Sequence, residues 1–168
     1  MEWNDIYDEN RQPTGRVHCR GSGWKPGEYG LVVCVWVYDG RGKLLLTRRA
    51  SEKSFAGTWE NTGGAAQAGE DSLTAVQREL REETGATAER WTSLGLFYPA
   101  CAYSDEAIEM YLAQGLHFGE RHLDADEFLN VARVPLTELV EEVMAGRIPD
   151  AKTQIAILKA DRLLNGAQ

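Results

Sequence analysis

The chain has 168 residues, 43% of them apolar, enough for one domain whose core needs neither disulfides nor a metal staple. Its 18 Lys and Arg face 26 Asp and Glu, a net charge of −8, which argues against a basic nucleic-acid face or a polybasic membrane patch. The longest apolar run, Leu31 to Tyr38, falls far short of the roughly 20 residues that span a bilayer.

Met1 to Asp5 is acidic and polar, unlike a signal peptide. Asp5 to Asp8 and Arg16 to Cys19 read as two strands joined by a turn at Gln12-Pro13-Thr14-Gly15. Gly21 to Gly30 is a Gly/Pro-rich loop. Leu31 to Tyr38 is β-branched and aromatic, as a strand buried on both faces should be. Asp39-Gly40-Arg41-Gly42 turns it into a partner strand, Lys43 to Thr47. Thr58 to Thr62 is a short strand ending at Gly63-Gly64, and Ser72 to Thr84 is a helix. Strands follow at Ser93 to Tyr98 and Ile108 to Leu116 and, after an acidic loop, at Phe128 to Val134. Leu136 to Met144 and Ala151 to Leu164 are amphipathic helices, with Gly146 suited to end the first and Asp150 to cap the second. This order predicts an α/β fold, a mixed sheet with helices on its faces, as one domain over 1–168 with segment 1–29 packed on it. Cys19, Cys34 and Cys101 form no CxxC pair and no disulfide framework, which suits a reducing cytoplasm.

The segment Gly63 to Gly85, GGAAQAGEDSLTAVQRELREETG, carries the chemistry. Asp71 or Ser72 can cap its helix and Gly85 can stop it in the left-handed conformation. At about 100° per residue, Leu73, Val76 and Leu80 form the core stripe, and Glu79, Glu82 and Glu83 share an arc of roughly 100° beside it. Arg78 and Arg81 fall mostly on another face. Like charges at i, i+3 and i+4 repel by several tenths of a kcal/mol per pair. Two readings follow from the spacing: a solvated acidic face, or a site for a hard divalent cation such as Mg²⁺, held by a few carboxylates plus water and phosphate oxygens. Gly63-Gly64 upstream lets backbone, including a carbonyl, come close to a metal or a diphosphate.

The pattern G-x5-E-x7-R-E-U-x-E-E-x-G-U, with U aliphatic, is met at Gly64, Glu70, Arg78, Glu79, Leu80, Glu82, Glu83 and Gly85. It resembles the Nudix hydrolase box; Ala86 is small for the last aliphatic position. The resemblance implies an α/β/α sandwich whose box forms a loop–helix–loop. It further implies that Glu79, Glu82, Glu83 and the Gly63 carbonyl bind Mg²⁺ or Mn²⁺, that Arg78 orients the glutamates, and that Glu70 braces the loop alongside structural Gly64 and Gly85. The implied reaction is attack of water on a phosphorus of a diphosphate linked to some group X, with Glu79, Glu82 and Arg78 in catalysis. Glu79 is one candidate base; Glu106, Glu109, Glu120 and Glu127, outside the box, are the others.

The flanks pull two ways. Asp5 to Asn10, Pro13-Thr14-Gly15 and Pro26-Gly27-Glu28-Tyr29 look like the isopentenyl-diphosphate isomerase branch of the family. That isomerase needs a cysteine and a histidine after the Trp59-Glu60-Asn61-Thr62 strand, where this chain has Gly63-Gly64-Ala65-Ala66, and a second histidine where it has Gly30. Isomerase chemistry is therefore disfavoured. Leu123 to Glu127, Val134 to Leu139 and Asp150-Ala151-Lys152-Thr153 are similar to the end of ADP-ribose pyrophosphatases. The expected function is metal-dependent cleavage of a nucleoside diphosphate derivative, ADP-ribose-like or a nucleoside triphosphate; a nucleotide-binding sensor without turnover is the alternative. Phe55 is the aromatic expected near the site, and Arg48 and Arg49 end a strand near a substrate phosphate; His18, His117 and His122 receive no role. A homodimer through the N-terminal strands is a further expectation from the family. Residues 70–89 carry a net −4 and 105–127 a net −6, so the acidity concentrates around the box helix and the segment that holds the alternative bases.

Overall fold

A computed structural model describes residues 2–48, 57–102, 104–119 and 130–166. The elements are β1 (Trp3–Tyr7), β2 (Pro13–Cys19), β3 (Val32–Tyr38), β4 (Lys43–Arg48), β5 (Trp59–Glu60), β6 (Thr62–Ala65), α1 (Ser72–Thr84), β7 (Ala86–Phe97), β8 (Ile108–Phe118), β9 (Asn130–Pro135), α2 (Leu136–Met144) and α3 (Ala151–Asn165).

β3 is the hub of a seven-stranded mixed sheet. It pairs in parallel with β8 along Val32 to Val37, and antiparallel with β6 at its start and β4 at its end. β4 also pairs with β5 and β9, and β7 forms the far edge against β8. The two-residue period of β3 sends Cys34 and Trp36 to one face and Val33, Val35 and Val37 to the other. The first face packs on α2 and α3 through Leu136, Leu139, Ala156 and Ile157. The second packs on α1 through Ala75, Val76 and Leu80. This is the expected α/β/α sandwich. Burying a side chain such as Leu80, fully covered here, contributes roughly 2 kcal/mol.

Several boundaries move. The first turn lies at 8–12, before Pro13, because the Asp8 carboxylate accepts the backbone N–H groups of Asn10 and Gln12 while Arg11 takes φ 60°. Pro13-Thr14-Gly15 belongs to β2. The Thr58–Thr62 strand splits into β5 and β6, which serve β4 and β3 respectively. β7 starts at Ala86, well before Ser93: Thr87, Glu89 and Arg90 look like loop residues, yet an edge strand with one open face carries polar side chains without cost. Leu73 is exposed, and Ala75 takes its place in the core stripe. Ala86 is fully buried, so the small residue at the end of the box packs in the core. Phe128 lies outside the described residues.

The N-terminal hairpin β1–β2 is tied to the loop that leads into α1. Asn4 donates to the Ala66 carbonyl at 2.7 Å, Ala68 N–H donates to Trp3 O at 2.7 Å, and Gly69 N–H donates to the Asp5 carboxylate at 2.7 Å.

Candidate active site

α1 is held at both ends as its sequence requires. Asp71 accepts the Thr74 N–H at 2.7 Å, and Gly85, at φ 71°, donates its N–H to Arg81 O. The helix therefore presents Glu79, Glu82 and Glu83 along a cleft of about 340 Å³, opposite the β3 and β6 strand ends.

The Arg78 guanidinium organises that wall. Its Nε donates to Glu70 Oε1 at 2.9 Å and Nη2 to Glu70 Oε2 at 3.1 Å; Nη1 donates to both Glu79 Oε1 and Glu82 Oε2 at 2.9 Å; Nη2 also reaches the Ala65 carbonyl at 3.0 Å. Glu70 Oε2 in turn accepts the Gln67 N–H at 2.8 Å and so fixes the loop. Burial opposes the Arg78 charge, but hydrogen bonds and charge from Glu70, Glu79 and Glu82 outweigh it and raise its pKa above the ordinary arginine value. Arg78 does not keep to a separate face, as the helical wheel suggests. Its long side chain bends over the glutamates, a reach that a projection of Cβ positions does not record.

The glycines have distinct roles. A Cβ on Gly64 would lie 2.4 Å from Glu79 Oε1, so the carboxylate occupies space that only glycine leaves open. A Cβ on Gly63 would lie 2.4 Å from Val33 O and 2.8 Å from Cys34 Cα, so Gly63 is required by the β3–β6 pairing itself. Different outcomes follow for the two alanine variants. Gly64→Ala is expected to keep its melting temperature but lose about 100-fold in kcat, because only a flexible carboxylate end must move. Gly63→Ala is expected to lose about 1–3 kcal/mol of stability, because backbone must move; thermal melts beside initial rates separate the two.

Among the described residues no three His, Cys, Asp or Glu side chains converge as a ready-made metal cage. Mg²⁺ does not need one, since it is held by one or two carboxylates with water and substrate oxygens. The donor set on α1 is all oxygen, and Glu79 lies in a groove cleared by Gly64. These residues fit a hard divalent cation.

Of the other candidate bases, Glu106 lines the cleft. Glu109 does not: it pairs with Arg11 and accepts from the Tyr111 hydroxyl at 3.3 Å. Glu120 and Glu127 lie outside the described residues, as do Arg49 and Phe55. Arg48 is absent from the described cleft lining; its Nε donates to Gly57 O at 3.0 Å and its guanidinium lies 5.7 Å from the Trp59 ring centre. The sequence reading missed Glu60 on β5, Lys152 on α3, and Glu2 and Arg20 from the N-terminal hairpin, all of which line the cleft. Cys34 sits in the cleft floor, and burial pushes its thiol pKa up to about 11, which makes it inert. A larger cavity of about 850 Å³ shares Val32, Ala65 and Glu106 with the cleft and is lined by Tyr7, Tyr29 and Tyr98.

The family model described as NUDIX domain matches residues 28–154. The chain belongs to the Nudix family. It is similar to an ADP-ribose pyrophosphatase of Bacillus subtilis, 32% identical over 156 residues that cover 91% of this chain and 82% of that one. It is also similar to an isopentenyl-diphosphate Delta-isomerase of Pectobacterium atrosepticum, 39% identical over 82 residues, 48% of this chain and 45% of that one. Among solved structures, one titled "Crystal structure of ADP compounds hydrolase" superposes with a TM-score of 0.69 at 23% identity, over 94% of this chain and 82% of that one. As a Nudix hydrolase the chain departs from the isomerase branch where the sequence indicates. Gly30 lies against the Trp24 ring, where an added Cβ would meet Cζ2 at 2.9 Å, so a histidine would have to displace that ring. No helix among the described residues is long and apolar enough to cross a membrane.

Proposed function

We propose that this Nudix hydrolase is a divalent-metal-dependent diphosphatase acting on nucleoside diphosphate derivatives, with ADP-ribose-like nucleotide sugars ahead of nucleoside triphosphates. The observation that carries the reading is the row of Glu79, Glu82 and Glu83 along the cleft, the first two held by Arg78. When bound, Mg²⁺ or Mn²⁺ supplies neutralisation of the diphosphate charge and a more acidic water. Glu79, Glu82 and Glu83 would hold it, with the Gly63 carbonyl as a further donor. Arg78 fixes the orientation of Glu79 and Glu82, and Glu70 fixes Arg78. Glu106, which has no cationic partner among the described residues, is the favoured base to take the proton from the attacking water.

The adjoining cavity of about 850 Å³ supports a substrate larger than a bare diphosphate, since tyrosines suit a sugar or a base. Similarity across most of the chain to a protein named for ADP-ribose supports the same class. A homodimer and a cytoplasmic setting stay within this reading, with exposed Trp3 and Val17 giving the N-terminal sheet apolar surface to share.

A panel of nucleoside diphosphate derivatives, nucleoside triphosphates and isopentenyl diphosphate, assayed with Mg²⁺ and with Mn²⁺, tests the reading. It predicts release of AMP from ADP-ribose above all other products and no deuterium exchange into isopentenyl diphosphate. Tight ADP-ribose binding without product after long incubation would instead mark a sensor.

A further inference from the structure

The charged side chains that line the cleft are mostly carboxylates, so beside a bound divalent ion the cleft has few cations of its own to offer a diphosphate. Three cationic side chains stand among the described lining residues. Arg78 is committed to Glu70, Glu79 and Glu82. Arg20 pairs with Glu2 at 2.5 Å from an exposed position, its side chain 62% accessible against 27% for Lys152. Lys152 is the third.

Its placement goes against helix electrostatics. Lys152 sits in the first turn of α3, where the amide dipoles disfavour a cation. Asp150 offsets this by dividing its two oxygens. Oδ2 caps the helix by accepting Thr153 N–H at 2.9 Å, and Oδ1 accepts Lys152 Nζ at 2.9 Å. The ammonium is thus fixed by the same side chain that fixes the helix start. Glu60 Oε2 stands 4.0 Å away, beyond hydrogen-bond reach. One hydrogen bond uses one of three donor protons. Lys152 lines the same cleft as Cys34, Gly63 and the glutamates of α1.

We propose that Lys152 is the cleft's own anion-binding residue and donates to a non-bridging oxygen of the substrate diphosphate. The proposal rests on the diphosphatase reading above and deepens it. It assigns the two walls of the cleft different tasks: carboxylates with their cation on α1, and a fixed ammonium on α3. A lysine at an otherwise unfavourable helix position is the kind of local rule-breaking that function accounts for.

Calorimetric titration of the full chain with α,β-methylene-ADP in Mg²⁺ tests it. Lys152→Met is expected to bind about tenfold to a hundredfold more weakly than wild type, the range for losing a hydrogen bond to a charged group, and Lys152→Arg within about threefold. With ADP-ribose, Lys152→Met should show the loss in KM, with kcat nearly unchanged. A merely structural ion pair would move the melting temperature and leave affinity alone. Should Lys152→Met fail to fold, Lys152→Gln, which keeps a hydrogen bond to Asp150 without the charge, carries the same expectation. Wild-type binding with unchanged affinity in the neutral variant overturns the lysine's role alone. No binding by wild type overturns the diphosphatase reading and this one with it.

Discussion

Glu82→Gln is expected to lower kcat for ADP-ribose about a thousandfold while the melting temperature stays within about 3 °C of wild type. The amide keeps the shape of the side chain and an oxygen for Arg78 Nη1, so the network on α1 loses little geometry. What it loses is negative charge at a partly open position facing the cleft, where Glu82 can share a cation with a substrate oxygen. Glu83→Gln should fall as far, from a more buried position. A solvated acidic helix face would respond in the opposite way, because removing one of three neighbouring like charges there relieves repulsion and leaves turnover untouched. Initial rates beside thermal melts of both variants decide between the two.

Arg78→Met is expected to cost both stability and rate. The guanidinium neutralises the largely covered Glu70 and Glu79 and the partly open Glu82, so its removal leaves charge without compensation. Breaking such a network by removing one partner costs about 3 kcal/mol or more, or roughly 6–12 °C in melting temperature for a chain of this length. The rate should fall about 100-fold, because Glu79 and Glu82 lose the group that aims them. Mg²⁺ should raise the melting temperature of Arg78→Met by more than that of wild type, since cation binding to the folded state then relieves a larger repulsion. Differential scanning fluorimetry across a Mg²⁺ titration measures this directly. Equal shifts in the two proteins would mean that Arg78 and the cation do not address the same carboxylates.

The box helix was legible in sequence because a cap at Asp71 or Ser72 and the Gly85 stop bound Ser72–Thr84 as found, although Leu73 of the expected stripe is exposed. The α/β/α order was legible because Leu31 to Tyr38 is apolar on both faces and the middle and C-terminal helices each carry an apolar stripe. What spacing could not supply was reach. Arg78 looked remote from the glutamates on a wheel and proved to be the common partner of Glu79 and Glu82. Gly63 and Gly64 suggested close backbone approach to a ligand, whereas their immediate constraints are the Cys34 backbone and the Glu79 carboxylate. The opposite wall was hidden because it is assembled from distant segments: Glu60 by β4–β5 pairing, Arg20 by the N-terminal hairpin, and Lys152 by a helix cap visible in sequence only as a cap. Arg48 shows the converse. A strand-end arginine expected near a substrate phosphate is drawn instead to a carbonyl and an indole ring. Of the acids in residues 70–89, Glu79, Glu82 and Glu83 line the cleft, whereas Glu70 holds Arg78, Asp71 caps α1 and Glu89 pairs with His117 on the surface.

Hydrolysis of ADP-ribose in ¹⁸O-labelled water, with mass spectrometry of the products, tests the central claim most directly. The expected result is AMP and a sugar phosphate only when Mg²⁺ or Mn²⁺ is present, one ¹⁸O atom on a phosphate of the products, and almost no product from Glu82→Gln. Label on a sugar carbon, or equal turnover in a chelator, would contradict it.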